Sequence, residues 1–151
     1  RCCRAPDRSH VHGVQFVVNM VGFFHEKSPW FLSNPGGNVM VRVPEHVNIA
    51  ENPQHLVPCP DAFLRALHDF PQSKNVDRPV ETTRQYGKEV VVTADFGIVQ
   101  VSLPYVRAVQ TLHGDVLTWR GSDAWSQVYV CKGPTLVGII YPLLPRALGV
   151  A

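Results

Sequence analysis

The chain has 151 residues, 14 Lys+Arg against 12 Asp+Glu, and a formal charge of +2. That length supports one domain with a real hydrophobic core rather than two, and an apolar fraction of 45% with 9% aromatics excludes a disordered chain. Arg1, Arg4, Arg8 and Asp7 account for the whole net charge, so the remainder balances at zero and a globally basic nucleic-acid binder is excluded. Charged residues make up only 17% of the chain, below the roughly 25% usual in soluble proteins, and so charge-poor a surface is often partly covered by a partner.

The expected organisation is a disordered N-terminal tail at 1–12, a single α+β domain at 13–145, and a C-terminal tail at 146–151. Val14 to Phe24 is the longest apolar stretch, about half of the ~20 residues that a spanning helix needs, and Gln15 and Asn19 interrupt it. No membrane span is expected. Cys2, Cys3, Cys59 and Cys131 show neither a CxxC nor a disulfide framework, which points to reduced thiols and a cytoplasmic location.

In chain order, Val14 to Phe24 reads as a strand, and Lys27 to Gly37, with Ser28-Pro29 and Asn34-Pro35-Gly36-Gly37, reads as a loop. Asn38 to Val43 alternates as a strand and stops at Pro44. His55 to Pro58 is a short strand leading into the first helix. Within Pro60 to Phe70 the residues Phe63, Leu64, Leu67 and Phe70 share one helical face, and Pro71 ends the run. Val80 to Thr83 is a candidate strand, and Gly87–Ala94 and Gly97–Val101 form a candidate pair. Ser102 to Gly114 reads as a second helix with Ser102 as cap, Pro104 in the first turn, Tyr105, Val106, Val109 and Leu112 as the apolar face, and Gly114 as the stop. Val116–Arg120, Ser126–Cys131 and Thr135–Tyr141 are three further strands. The fold class is α+β: an antiparallel sheet with two short amphipathic helices.

The helices align on one another. Ala62-Phe-Leu-Arg-Ala-Leu67 lies on Pro104-Tyr-Val-Arg-Ala-Val109, with a short Val-containing strand before each and strands after each, which gives a tandem β-α-β-β-β repeat. This repeat resembles the half-domain of the DNA sliding clamps. Val101 to Leu112, then Asp115–Trp119, Gln127–Val130 and Gly138–Leu143, is similar to the end of a bacterial-type clamp subunit. The resemblance implies helices side by side on one face of a sheet. It also implies duplex DNA as a partner in a replication or mobile-element context, and a homo-oligomer, since a clamp ring of six such domains needs six copies. The DNA contacts would then come from Arg65 and His68 on the first helix and Arg107, Gln110 and Thr111 on the second, with Arg65 and Arg107 equivalent under the repeat.

Other chemistry is sparse. Cys2, Cys3, His10 and His12 are potential metal ligands without the paired spacing of a zinc site, so no metal or other cofactor is expected. Cys59 lies near His55 and His68, just before a helix N-terminus whose dipole would lower its pKa, but no acidic group at recognisable spacing completes a nucleophilic site. The carboxylates fall mostly at helix starts and turns, where backbone N–H groups explain them. Asn34 to Asn38 is Gly-rich but lacks the Lys-Ser/Thr of a phosphate loop. The leading expectation is a non-enzymatic, DNA-associated binding protein. The alternatives are an accessory domain that binds another protein, and an enzyme that depends on Cys59.

Overall fold

The structure, a computed structural model, describes residues 9–11, 14–16, 19–34, 36–45, 47, 56–76, 80–82, 89–94, 97–123 and 125–142, and among these are, besides one 3₁₀ turn at Phe70–Gln72, twelve short strands and two α-helices. In chain order they are β1 (Ser9–Val11), β2 (Val14–Phe16), β3 (Asn19–His25), β4 (Ser28–Asn34), β5 (Val39–Arg42), α1 (Asp61–Asp69), β6 (Lys74–Val76), β7 (Val80–Thr82), β8 (Glu89–Ala94), β9 (Gly97–Ser102), α2 (Leu103–His113), β10 (Thr118–Gly121), β11 (Val128–Lys132) and β12 (Thr135–Ile140). Seven strands form one antiparallel sheet in the order β3-β4-β5-β12-β11-β10-β6; β7-β8-β9 form a second sheet and β1-β2 a hairpin. The α+β class with an antiparallel sheet and two helices is what the sequence periodicity predicts.

Ser9–Val11, expected in the N-terminal tail, pairs with β2, and the single strand expected at 14–24 divides into β2 and β3. Two further strands differ from expectation. Residues 28–34 form β4, because the reversal is a two-residue turn at Glu26 and Lys27, both at positive φ (50° and 70°), closing on the His25–Ser28 pair. Such turns favour Asn-Gly, so Glu-Lys gives no signal. Pro29 is tolerated because it stands just beyond the last β4–β5 pair, Trp30–Arg42, and offers only its carbonyl, to the Val43 N–H at 3.0 Å. The second is β6, a polar edge strand with Lys74 and Asn75 exposed. Conversely, the strand expected at 55–58 reduces to one parallel bridge between Leu56 and Gly22, with Val57 N–H donating to Gly22 O at 2.9 Å.

The alternation of each strand builds two cores. On one face Phe31, Val39, Val41, Trp119, Val128, Val130 and Ile140 meet Val106, Val109 and Leu112 of α2. On the other, Phe23, Trp30, Met40, Tyr129 and Ile139 meet Phe63 and Ala66 of α1. Adjacent residues of one strand, Met40 and Val41 or Tyr129 and Val130, therefore serve different helices. A bulge keeps β12 in phase: Val130 pairs with Gly138 and Cys131 with Leu136, so Val137 is the extra residue and turns into the α2 core while Leu136 packs against the α1 side.

The helices thus lie on opposite faces of the seven-stranded sheet, which corrects the expectation that they sit side by side. The tandem repeat is not reproduced either. The strands after α2 are adjacent in the large sheet, whereas those after α1 divide between its edge and the second sheet. The helical faces also need adjustment: Leu64, placed on the apolar stripe, is 46% exposed, and Ala66 takes the buried position, where Tyr129 Oη donates to its carbonyl at 2.6 Å. Ser102 occupies the residue before α2 with extended backbone but makes no side-chain cap bond, while Gly114 (φ 87°) closes the helix by donating its N–H to Gln110 O at 2.7 Å.

Candidate functional site

The residues expected to touch DNA are separated by the sheet. Arg65 and His68 are exposed on the outer face of α1, where with Leu64 and Asp69 they flank a hollow of about 330 Å³. Arg107 and Thr111 are exposed and Gln110 half-buried on α2, on the far side. With a seven-stranded sheet between them, one straight duplex cannot lie against both stripes.

Cys59 is not set up as a nucleophile. It is half-buried, its Sγ has only the Pro60 carbonyl at 4.0 Å, and among the described residues no histidine is hydrogen-bonded to it. Burial first, and the Asp61 carboxylate second, push its thiol pKa up, opposite to the effect expected of the helix N-terminus. The sign follows directly: a raised pKa leaves less thiolate at any pH below it. Alkylation of Cys59 by iodoacetamide at pH 7.5, followed by peptide mass mapping, is therefore expected to run slower than that of free cysteine and to climb only above the ordinary thiol range. Asp61→Asn should speed it. A Cys59 that reacts faster than free cysteine would restore the nucleophile reading. His55, Cys2, Cys3 and His12 lie outside the described residues, and among the described residues no group of three or more His, Cys, Asp or Glu could hold a metal ion.

A concave site forms elsewhere, at one end of the large sheet. Since β4, β5, β12 and β11 are antiparallel neighbours, the start of β4, the end of β5, the start of β12 and the end of β11 fall at the same end. There the β3–β4 turn, the chain leaving β5, the β11–β12 turn and the C-terminus of α2 enclose a cleft of about 790 Å³. Buried Val43, Val47, Leu112 and Val137 give it apolar walls. His113, 7% exposed, also lines it; its Nε2 donates to the Arg42 carbonyl at 2.7 Å, since a carbonyl can only accept, and this ties the end of α2 to β5.

The charged lining is one-sided: Lys27, Arg42 and Lys132 against the single carboxylate of Glu45. Lys27 is exposed in the β3–β4 turn and Lys132 is exposed at the end of β11. Arg42 is half-buried, held at the wall by one hydrogen bond, Nη2 to Ser28 Oγ at 3.1 Å, out of the five N–H donors a guanidinium carries. No carboxylate among the described residues lies within 4.0 Å of any of the three cations. By contrast Arg120, the half-buried cation nearer the other sheet edge, is more fully engaged, with Nε donating to Ser73 Oγ at 2.9 Å, a second bond to the Ser73 carbonyl, and its guanidinium 5.2 Å over the Phe70 ring. The cleft can therefore donate hydrogen bonds and positive charge to an oxyanion. Sequence reasoning did not single out these residues, which in the sequence are ordinary turn and strand-end cations.

A second surface feature is apolar. Phe24 and Leu56 are 46% and 63% exposed, and the Leu56–Gly22 bridge places them together along the outer edge of β3. No helix of the described residues is long and apolar enough to cross a membrane. No family model matches the chain, and neither the curated proteins nor the solved structures contain a match to it.

Proposed function

We propose that the protein acts by binding rather than catalysis and that its ligand is anionic, with nucleic acid as the macromolecule of that class to test first. The observation that supports this is the convergence of Lys27, Arg42 and Lys132 on one cleft with no carboxylate paired to any of them among the described residues. Unpaired cations held together in a concavity repel one another and concentrate counter-ions, and a bound oxyanion relieves both costs. The helix stripes are the poorer candidate, because the sheet separates them.

Binding of fluorescein-labelled single-stranded and duplex oligonucleotides, measured by anisotropy between 50 and 200 mM salt, tests the reading. Affinity is expected to fall with salt. For a single strand the log–log slope should be no steeper than about −2, since three cations allow at most three phosphate contacts at roughly −0.7 each. A Lys27→Glu, Lys132→Glu double variant should lose most of the binding, and an Arg65→Ala, Arg107→Ala variant should keep it. The reverse pattern would return the contacts to the helices. Absence of salt-sensitive binding to any anion would leave the protein-interaction reading, with Phe24 and Leu56 as its surface.

A further inference from the structure

We infer that the cleft is a site for a phosphomonoester, a nucleotide or the phosphorylated end of a strand, rather than for the continuous backbone of a duplex. This rests on the anion-binding reading above and goes further by naming the group bound.

Three observations carry it. The first is shape. A cleft of about 790 Å³ falls within the 300–1,000 Å³ of small-ligand sites, which is room for one nucleotide unit. The second is charge count. Three cations offset by Glu45 match the one to two negative charges of a phosphomonoester, while proteins that grip duplex DNA neutralise on the order of six to ten phosphates. The third is the state of Arg42. Arg42 is a half-buried lining residue and, among the described residues, its side chain makes one hydrogen bond, to Ser28, which leaves its other N–H donors available for a contact to two oxygens of one phosphate. A terminal phosphate offers three non-bridging oxygens to such a fork and to the lysines on either rim. An internal phosphodiester offers two and carries one charge fewer. Beside the cations, Val43 and Leu112 supply apolar wall for the body of the ligand, and the Glu45 carboxylate is an acceptor for hydroxyl or amino groups.

The experiment compares adenosine 5′-monophosphate, adenosine, a single-stranded oligonucleotide with a 5′-phosphate, the same strand with a 5′-hydroxyl, and a blunt duplex lacking terminal phosphates, each titrated into the full chain by calorimetry. The monophosphate and the phosphorylated strand are expected to bind and to compete with each other, and adenosine and the 5′-hydroxyl strand to bind at least tenfold more weakly. Arg42→Gln should lower affinity for the phosphorylated probes by roughly tenfold or more, as for loss of a charge-assisted contact. Lys132→Glu, at an exposed strand end, should do the same, and it keeps the test readable where Arg42→Gln disturbs the Ser28 bond and the folding of the β5 end. Binding of the free nucleotide without binding of the phosphorylated strand identifies a free small molecule as the source and supports the inference equally. Equal binding of the duplex and the 5′-hydroxyl strand, lost in Lys27→Glu, Lys132→Glu and insensitive to the monophosphate, would overturn the inference and leave the proposed function intact. Failure of every probe would remove both.

Discussion

Phe63→Ala is expected to be the most destabilising single truncation on the α1 side, at about 3–5 kcal/mol. Phe63 is fully buried, and its ring meets Trp30 at 4.8 Å and 65° and Phe23 at 5.0 Å and 68°, both edge-to-face, with His25 at 5.2 Å on a further side. Removing the ring strips the apolar burial and several aromatic contacts worth about 0.5–1.5 kcal/mol each. It also leaves a cavity that the sheet, with Phe23 and Trp30 held in paired strands, can close only in part. The α1 helix is nine residues long, too short to persist without its packing. It should therefore loosen with the core, seen as lost hydrogen-exchange protection at residues 61–69 before global unfolding. Leu64→Ala, one residue along on the exposed side, should stay within about 0.5 kcal/mol. Equal urea midpoints for the two variants would refute this placement of α1.

Gly138→Ala is expected to destabilise by about 1–3 kcal/mol even though Ala is no worse than Gly in a strand. A Cβ at position 138 would stand 3.1 and 3.3 Å from the two γ-methyls of Val109 and 3.4 Å from Val130 Cβ. Val109 cannot swing clear, because it is fully buried and a β-branched residue in a helix has essentially one rotamer. Relief therefore requires α2 to lift from the sheet, which loosens Val106 and Leu112 as well. Val109→Ala removes the obstructing methyls at its own cavity cost, so the double variant should be less destabilised than the sum of the two single changes. Additive costs in urea titrations would mean that Gly138 is not the close contact between α2 and the sheet.

These two positions show different degrees of legibility. Phe63 is the first apolar residue of a run with helical period bounded by Pro60 and Pro71, so both helix and burial could be anticipated from the sequence. Nothing in the sequence distinguishes Gly138 from a loop glycine, since its role depends on Val109 being opposite it.

The sequence alone determined the α+β class, the approximate bounds of both helices, the 89–102 strand pair and the three strands after α2, because periodicity and Pro or Gly boundaries are local properties of the chain. It missed β1, which lies in the stretch read as a tail, β4, whose turn uses Glu26 and Lys27 at positive φ without a glycine, and β6, which has no apolar pattern. Tertiary structure decided the rest. Periodicity says that a helix has a buried face but not which side of a sheet receives it. The pairing of β5 with β12 and of β6 with β10 sets that, and it put Arg65 and Arg107 on opposite faces. The same long-range pairing gathered Lys27, Arg42 and Lys132 from one turn and two strand ends into one cleft. Charge proximity of this kind is a property of the sheet's register, which no local segment of the chain encodes.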